Sequence, residues 1–474
     1  MKSWRWLTVA TAVVVLTAAC GTDVEPTTTT AAEATDTTTG ETTNTTAVVS
    51  PAPTTNTPPE DDRQDLLVAG PCYLENVIAV ETEQGDTTAL LQALGFEPTK
   101  ITSTVILDLS TDPSPEVEDE PLAVLDEALD FFLINGNPLE AALALFEEDI
   151  TAAPIHAMGQ AGHWKYGPGT TPVELPGSHL VDVAPASKDE WVGVVDSGVV
   201  ATGPNWLYDN LKFDSPFDVE TLVHDEEASH GTFVSGLIRQ LAPEFKVSTT
   251  KARSVPLDYF VAEDKPAGSV SLPDVIADPT LDPVLSSVQH LTTELHVAEA
   301  IGRLIDRGHK SMPALNLSLG AYECEPTEDI VFLTLIKALD LWFAAYGEAP
   351  IYAAAGNELD PRPFWPAALS QVDGRIHGVA AANLDGDEVV WDQAGDADTS
   401  LSRNWVTDFA PGTDLVSTGR SATEYAWSGS SFASAAATAM FVRGDTASEP
   451  VAGKVSGLTF VSKKEQGSWT LETS

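Results

Sequence analysis

The stretch Trp427–Val442, WSGSSFASAAATAMFV, decides how the rest of the chain is read. Two serines follow a glycine and run straight into an alanine-rich segment with helical character. Ser431 falls in the first turn of that helix, where unbonded backbone N–H groups and the positive end of the helix dipole favour an oxyanion. Gly429 has no side chain and admits close approach of another backbone. Phe432, Ala433, Ala435, Ala436, Ala437, Ala439, Met440 and Phe441 make the helix apolar nearly all round, which predicts a central, buried position. By itself the stretch reads more simply as a serine-capped core helix, so its chemistry depends on the residues elsewhere that could serve it.

Working outward, the chain upstream alternates in the manner of an α/β protein. Asp189–Val200, DEWVGVVDSGVV, reads as a short apolar strand ending at Asp196, and functional groups of α/β folds gather just past strand ends. Ser229–Gly236, SHGTFVSG, opens a helix at His230, with Phe233, Val234 and Leu237 as its buried face. Leu291–Arg307 is an amphipathic helix, Ala314–Leu319 a strand, Asp329–Tyr346 a long helix, and Ile351–Ala355 a strand ending at Gly356-Asn357-Glu358. This alternation predicts a doubly wound parallel sheet. Asn357 then offers a neutral amide donor at a strand end, a place where turn asparagines are also common.

At this point the residues resemble the subtilisin-like serine peptidases, the subtilases. VVDSGV around Asp196, HGTFVSG at His230, NLSLG at Asn316–Gly320, AAAGNE at Ala353–Glu358, FAPG at Phe409–Gly412 and GSSFAS at Gly429–Ser434 are similar to successive signatures of that family, in its order of Asp, His, Asn and Ser. The resemblance spans about Ser187–Arg443. The chain departs from the family at Ser430, where Thr is usual, at Ala435, where Pro is usual, and at Ala436, often His. The residues after Arg443 resemble no part of the family.

The resemblance implies that Ser431 attacks a peptide carbonyl while His230 takes its proton, Asp196 holds the imidazole, and Asn357 with the Ser431 backbone N–H holds the oxyanion. It further implies that Leu319, Gly320, Ala354 and Gly356 line the pocket for the side chain before the scissile bond. Small residues there predict a roomy apolar slot with Glu358 near its rim, and an extended substrate would pair near Leu317–Gly320. Protein or peptide substrates are expected, with no cofactor and no metal. His156, His163 and Trp164 lack metal-ligand spacing, and the Gly/Pro-rich passage Ala153–Gly177 reads as a connecting loop. An inactive subtilase-like fold kept as a surface binding or structural protein is the alternative. An α/β-hydrolase esterase is disfavoured by the chain order and by the lack of a G-x-S-x-G elbow at Ser431.

Composition agrees with a secreted globular protein. In 474 residues, 24 Lys and Arg face 71 Asp and Glu, a formal net charge of −47. A field of that sign repels nucleic acid and anionic lipid headgroups, so both are excluded as partners. The first 19 residues, with Lys2 and Arg5 ahead of the apolar run Leu7–Ala19, fit a secretory signal. Their end, Thr17-Ala18-Ala19-Cys20, resembles a bacterial lipobox, which implies lipid on Cys20 and a place at the outer cell surface. An ordinary signal peptide with an incidental Cys20 is the other reading. Residues 20–62, rich in Thr and Pro, cannot bury a core and read as a disordered tether.

Between that tether and the large domain, residues 63–150 read as a small α+β domain. Asn76–Val80 and Ser103–Leu109 are expected strands, with Thr87–Leu94, Pro121–Leu133 and Pro138–Phe146 as helices. Residues 151–186 connect it to the peptidase-like domain, 187–474. Subtilases are often made with a prosegment that blocks the cleft, and this domain sits where one would; a permanent accessory domain is the alternative. Cys72 and Cys324 are left after Cys20, either as a disulfide joining the two domains or as separate thiols.

Overall fold

A computed structural model of the protein describes residues 72–444 and the strands between residues 453 and 473, apart from 83–85, 111–119, 161–171, 176–179, 181–182, 220–228, 257–258, 261–289, 323–331, 359–361, 383–388, 392–396, 399–402, 456–457 and 466–467. The expected signal (1–19), Cys20, the expected tether (20–62), Cys324, His163 and Trp164 lie outside the described residues. The chain divides into two compact units, Met1–Glu60 and Asp61–Ser474, and every described residue belongs to the second. Among the described residues no helix is long and apolar enough to cross a membrane.

The first part of the second unit runs β1 (Tyr73–Glu81), α1 (Thr87–Ala93), β2 (Thr99–Ile101), α2 (Ser103–Leu107), α3 (Glu120–Ala128), β3 (Leu129–Leu133), α4 (Pro138–Glu147) and β4 (Ala152–Gln160). Its antiparallel strands lie in the order β2-β3-β1-β4. Helix starts follow local chemistry. The Asp86 side chain accepts from Ala89 N–H at 3.1 Å to cap α1, and Asn137 accepts from Leu139 N–H at 2.8 Å, with Pro138 beginning α4.

Three expectations are corrected here. Ser103–Leu109, expected as a strand, begins with helix α2, because Asp126 of α3 accepts from both Ser103 N–H (3.1 Å) and Ser103 Oγ (3.0 Å) and holds the first turn. Pro121–Leu133, expected as one helix, ends its helix at Ala128; the next five residues form β3, paired on both sides. The passage beginning at Ala153, expected as a loop, opens as β4, a strand of the sheet.

The second part is an α/β domain. Its elements are β5 (Trp191–Asp196), β6 (Leu211–Lys212), α5 (His230–Leu241), β7 (Lys246–Lys251), β8 (His290–Thr293), α6 (Glu294–Asp306), β9 (Leu315–Leu317), β10 (Leu319–Tyr322), α7 (Leu333–Tyr346), β11 (Ile351–Ala354), β12 (Phe364–Trp365), β13 (Ile376–Ala382), β14 (Asp408–Pro411) and α8 (Ser430–Arg443). Seven strands form a wholly parallel sheet in the order β14-β13-β11-β9-β5-β7-β6. Its two faces feed two cores. Val192 and Val194 of β5 pack with Phe233 and Leu237 of α5 and Phe432 and Ala433 of α8. Val195 belongs to the opposite core, with Leu295, Leu304 and Trp342 of α6 and α7. The strand order reverses between β5 and β9, and such a switch point is where an α/β sheet opens a crevice at the strand carboxyl ends.

The antiparallel sheet does not stop at the first part. Strand β4 continues between two strands of the α/β domain, with Thr292 and Thr293 of β8 opposite Met158 and Ala157, and Leu319 and Gly320 of β10 opposite Gln160 and Gly159. Strand β10 then pairs with β12. The pairing edge therefore begins at Leu319. Leu317, expected within it, is inside the parallel sheet between β5 and β11. A buried carboxylate ties β4 down further. Glu294 accepts from His156 N–H (2.9 Å) and Leu335 N–H (3.0 Å), and its Oε1 lies 2.8 Å from His156 Nδ1. After α8, strands Gly453–Val455, Leu458–Glu465 and Ser468–Thr473 make a separate antiparallel sheet.

Candidate active site

Asp196 ends β5, and its Oδ1 lies 2.7 Å from His230 Nδ1. The same oxygen accepts from Ser197 N–H at 2.7 Å, which fixes the carboxylate plane. His230 is the first residue of α5. The residue before it, Ser229, has φ 96°, a left-handed backbone that a serine adopts only when its surroundings impose it. Gly231 explains how helix and strand end come so close. A Cβ there would lie 2.1 Å from the Gly198 carbonyl oxygen and 3.1 Å from Asp196 Oδ1. The imidazole is enclosed by Trp427, edge-on at 5.4 Å, and by Phe432 at 5.2 Å. Its Nε2 is buried and has no hydrogen-bond partner among the described residues, as does Asp196 Oδ2.

Ser431 lies in the first turn of α8, wholly buried, and its Oγ donates to the Ser318 carbonyl at 3.5 Å. No hydrogen bond joins it to His230 among the described residues. Catalytic hydrogen bonds are often loose without a bound substrate. Asn357 follows β11 and Gly356, and its side-chain oxygen accepts from Ser430 N–H at 2.5 Å. That bond consumes the acceptor end of the amide and presents its NH₂ as the donor end. Asp196, His230, Asn357 and Ser431 are thus gathered at the carboxyl ends of β5 and β11 and the starts of α5 and α8.

Beneath Ser431 lies a polar network that the sequence reading passed over. The Ser431 carbonyl accepts from Ser318 Oγ (2.7 Å) and from Ser434 Oγ (2.8 Å). Asn316 Nδ2 donates to Ser318 Oγ at 2.8 Å, and Thr438 Oγ1 donates to the Ser434 carbonyl at 2.7 Å. The signal was present in the sequence. Ser431, Ser434 and Thr438 stand at helical spacing on one face of an otherwise apolar helix. Arg403 was also missed. Its buried guanidinium donates to the carbonyls of Ala355 (2.6 Å) and Gly356 (3.0 Å), bracing the turn that carries Asn357. No local pattern around Arg403 announces that role, because the contact spans more than forty positions of chain.

The four residues expected to line the pocket are all buried. Leu319 and Gly320 pair with β4, while Ala354 and Gly356 border the turn before Asn357. Among the described residues, a side chain occupies the slot expected between them. The ring of Phe364 lies against both glycines, and Tyr322 closes beside it. Tyr322 Oη accepts from Glu358 N–H at 3.1 Å, holding Glu358 at this end of the turn. Cys72 is disulfide-bonded, and the cysteine that it bonds lies outside the described residues. No cluster of three or more His, Cys, Asp or Glu side chains suited to a metal occurs among the described residues.

No family model matches the chain, and no curated protein matches it. Among solved structures it is similar to the prenylagaramide maturation protease PagA, at 19% identity and a TM-score of 0.36, over 54% of this chain and 78% of that one. It is also similar to a mutant of the protease domain of PatA, at 17% identity and a TM-score of 0.36, over 56% of this chain and 85% of that one. Likeness at this level transfers no activity.

Proposed function

We propose that the chain is a serine endopeptidase. The observation that carries this reading is the buried contact of 2.7 Å between Asp196 and His230, with the other imidazole nitrogen turned inward beside the helix that starts at Ser430 and Ser431. A proton held on Nδ1 by Asp196 leaves Nε2 as the base. Ser431 Oγ gives up its proton to Nε2 as it attacks the peptide carbonyl, and His230 returns that proton to the leaving amine. Asn357 and the Ser431 N–H, at the positive end of the helix dipole, take the oxyanion. Water then repeats the sequence to release the acid.

An extended substrate would lie antiparallel along Leu319–Gly320, where Gln160 and Gly159 of β4 now pair. The first part of the chain therefore acts as a built-in inhibitor, a prosegment whose last strand covers the cleft. We extend the reading to a lipid on Cys20 at the outer cell surface and a Cys72–Cys324 disulfide that retains the peptidase after cleavage.

Fluorophosphonate labelling tests the function, using chain lacking the signal and tether, before and after limited proteolysis. Labelling that Ser431→Ala and His230→Ala both abolish is the expected result. A folded, cut parent that takes no label would instead support an inactive surface protein.

A further inference from the structure

Gly320 and Gly356 stand on the two segments that touch the start of α8, one on β10 two residues past Ser318, whose carbonyl accepts from Ser431 Oγ, the other next to Asn357, whose side-chain oxygen accepts from Ser430 N–H. In the sequence their lack of side chains reads as room for substrate. The structure gives that room to Phe364. A Cβ built on Gly320 would fall 2.2 Å from Phe364 Cε1 and 2.6 Å from its Cζ. One built on Gly356 would fall 3.0 Å from Phe364 Cγ and Cδ2, and 2.5 Å from the Tyr322 hydroxyl. A Cβ at Gly320 would therefore collide with the ring and with the Trp365 carbonyl oxygen at 2.4 Å, and one at Gly356, whose φ of 86° already favours glycine, would collide with the Tyr322 hydroxyl and press on the ring. Because one edge of the ring meets Gly320 and the other meets Gly356, a single wholly buried phenyl group spans the gap.

The ring is also held in place. Phe364 lies opposite Tyr322 in the β10–β12 pair, and the two rings meet edge to face at 4.8 Å. Tyr322 is fixed in turn by the bond from Glu358 N–H. Swinging Phe364 out would leave a cavity and break this aromatic contact, so the ring is a wall, not a gate.

Resting on the serine peptidase reading, we infer that Phe364, backed by Tyr322, is a specificity residue that closes the pocket for the side chain preceding the scissile bond and restricts cleavage to peptides carrying Gly, Ala or Ser there. Large apolar and aromatic side chains would have to displace a packed phenyl group. The chain's own sequence after Gln160 runs Ala161-Gly162, which supplies a probe with a small residue at a natural position.

The experiment uses the cut enzyme, with its active fraction first counted by fluorophosphonate labelling. Fluorogenic peptides built on Met158–Gly162, with the position of Ala161 varied to Gly, Ser, Leu and Phe, are then compared by kcat/KM. The expected result is Ala at least about 100-fold above Leu and Phe, the discrimination one well-filled pocket can supply. Phe364→Ala should raise the Phe-to-Ala ratio by about 10-fold or more as the slot opens. Labelled parent that cuts after Phe or Leu as fast as after Ala would overturn the inference, as would a labelled, folded Phe364→Ala enzyme with an unchanged ratio. Should that variant not fold, Phe364→Leu gives the same comparison with a smaller opening, and the parent profile decides alone. Absence of label fails the peptidase reading itself, and so is distinguished from a wrong specificity.

Discussion

Asp196 Oδ1 stands 2.7 Å from His230 Nδ1, and neither residue is more than 1% exposed. Water is shut out, so the carboxylate alone sets which ring nitrogen carries the proton. Asp196→Asn keeps the size and removes that control. Turnover should fall about 10⁴-fold, the loss seen when a triad imidazole is left in the wrong tautomer, while far-UV circular dichroism and the melting temperature stay near those of the parent. Turnover within tenfold of the parent would remove Asp196 from the mechanism.

Asn357 makes a second, separable prediction. Its amide oxygen is bound to Ser430 N–H at 2.5 Å, which fixes where its NH₂ can donate. Asn357→Ala should lower kcat by about 10²–10³ with little change in KM, because an oxyanion donor acts on the transition state more than on bound substrate. Asn357→Asp should do no better, since a second anion cannot donate. A rise in KM at constant kcat would move Asn357 from oxyanion stabilisation to ground-state binding.

Strands β5 and β11 were legible because each is flanked by strands on both sides, is buried almost throughout and reads as a nearly continuous apolar run. The positions of Asp196, His230, Asn357 and Ser431 were legible for another reason: each lies within two residues of a glycine at the end or start of an element, where local sequence controls backbone geometry. Strand β4 was not legible. Pro154 within Ala152–Gln160 argues against a central strand. It is tolerated because β1 pairs with that part of β4 on one side only, Ile78 opposite Pro154, while β8 joins from Ala157 onward. His156, two residues on and so with its N–H in the same direction, donates to Glu294 and to no strand. The pocket failed in the same way. Gly320 and Gly356 were read as empty space because Phe364, distant in sequence from Gly320, declares no partner until the chain is folded.

His309 predicts a pH effect on stability that is independent of catalysis. Burial, with Arg307 and Lys212 nearby, holds its pKa below the ordinary value of 6.5, while it stacks on Trp191 at 4.5 Å and meets Ser248 Oγ at 3.0 Å. As pH falls below the unfolded value the unfolded chain takes up a proton that the folded chain refuses, so stability drops until the folded pKa is passed. Urea unfolding at several pH values between about 7.5 and 5 should show a shallower decline for His309→Gln than for the parent. Parallel curves would mean that His309 titrates alike in both states.

The attachment of β4 rests on Glu294, a wholly buried carboxylate that gathers two backbone N–H groups and the His156 ring, which itself stacks on Phe332 at 4.0 Å. Nothing apolar can replace it, because His156 N–H and Leu335 N–H would remain buried without acceptors. Removing one side of such an arrangement costs about 3–5 kcal/mol. For Glu294→Ala that loss should fall first on the docking of Ala152–Gln160, not on the parallel sheet, whose strands pair with one another. Hydrogen exchange should therefore quicken at the β4 amides while β5 and β9 remain protected, and fluorophosphonate should label uncut Glu294→Ala faster than the uncut parent. Unchanged β4 protection would show that the pairing with β8 and β10 holds the strand by itself, and the proposed inhibitor would then need cleavage, not loosening, to leave.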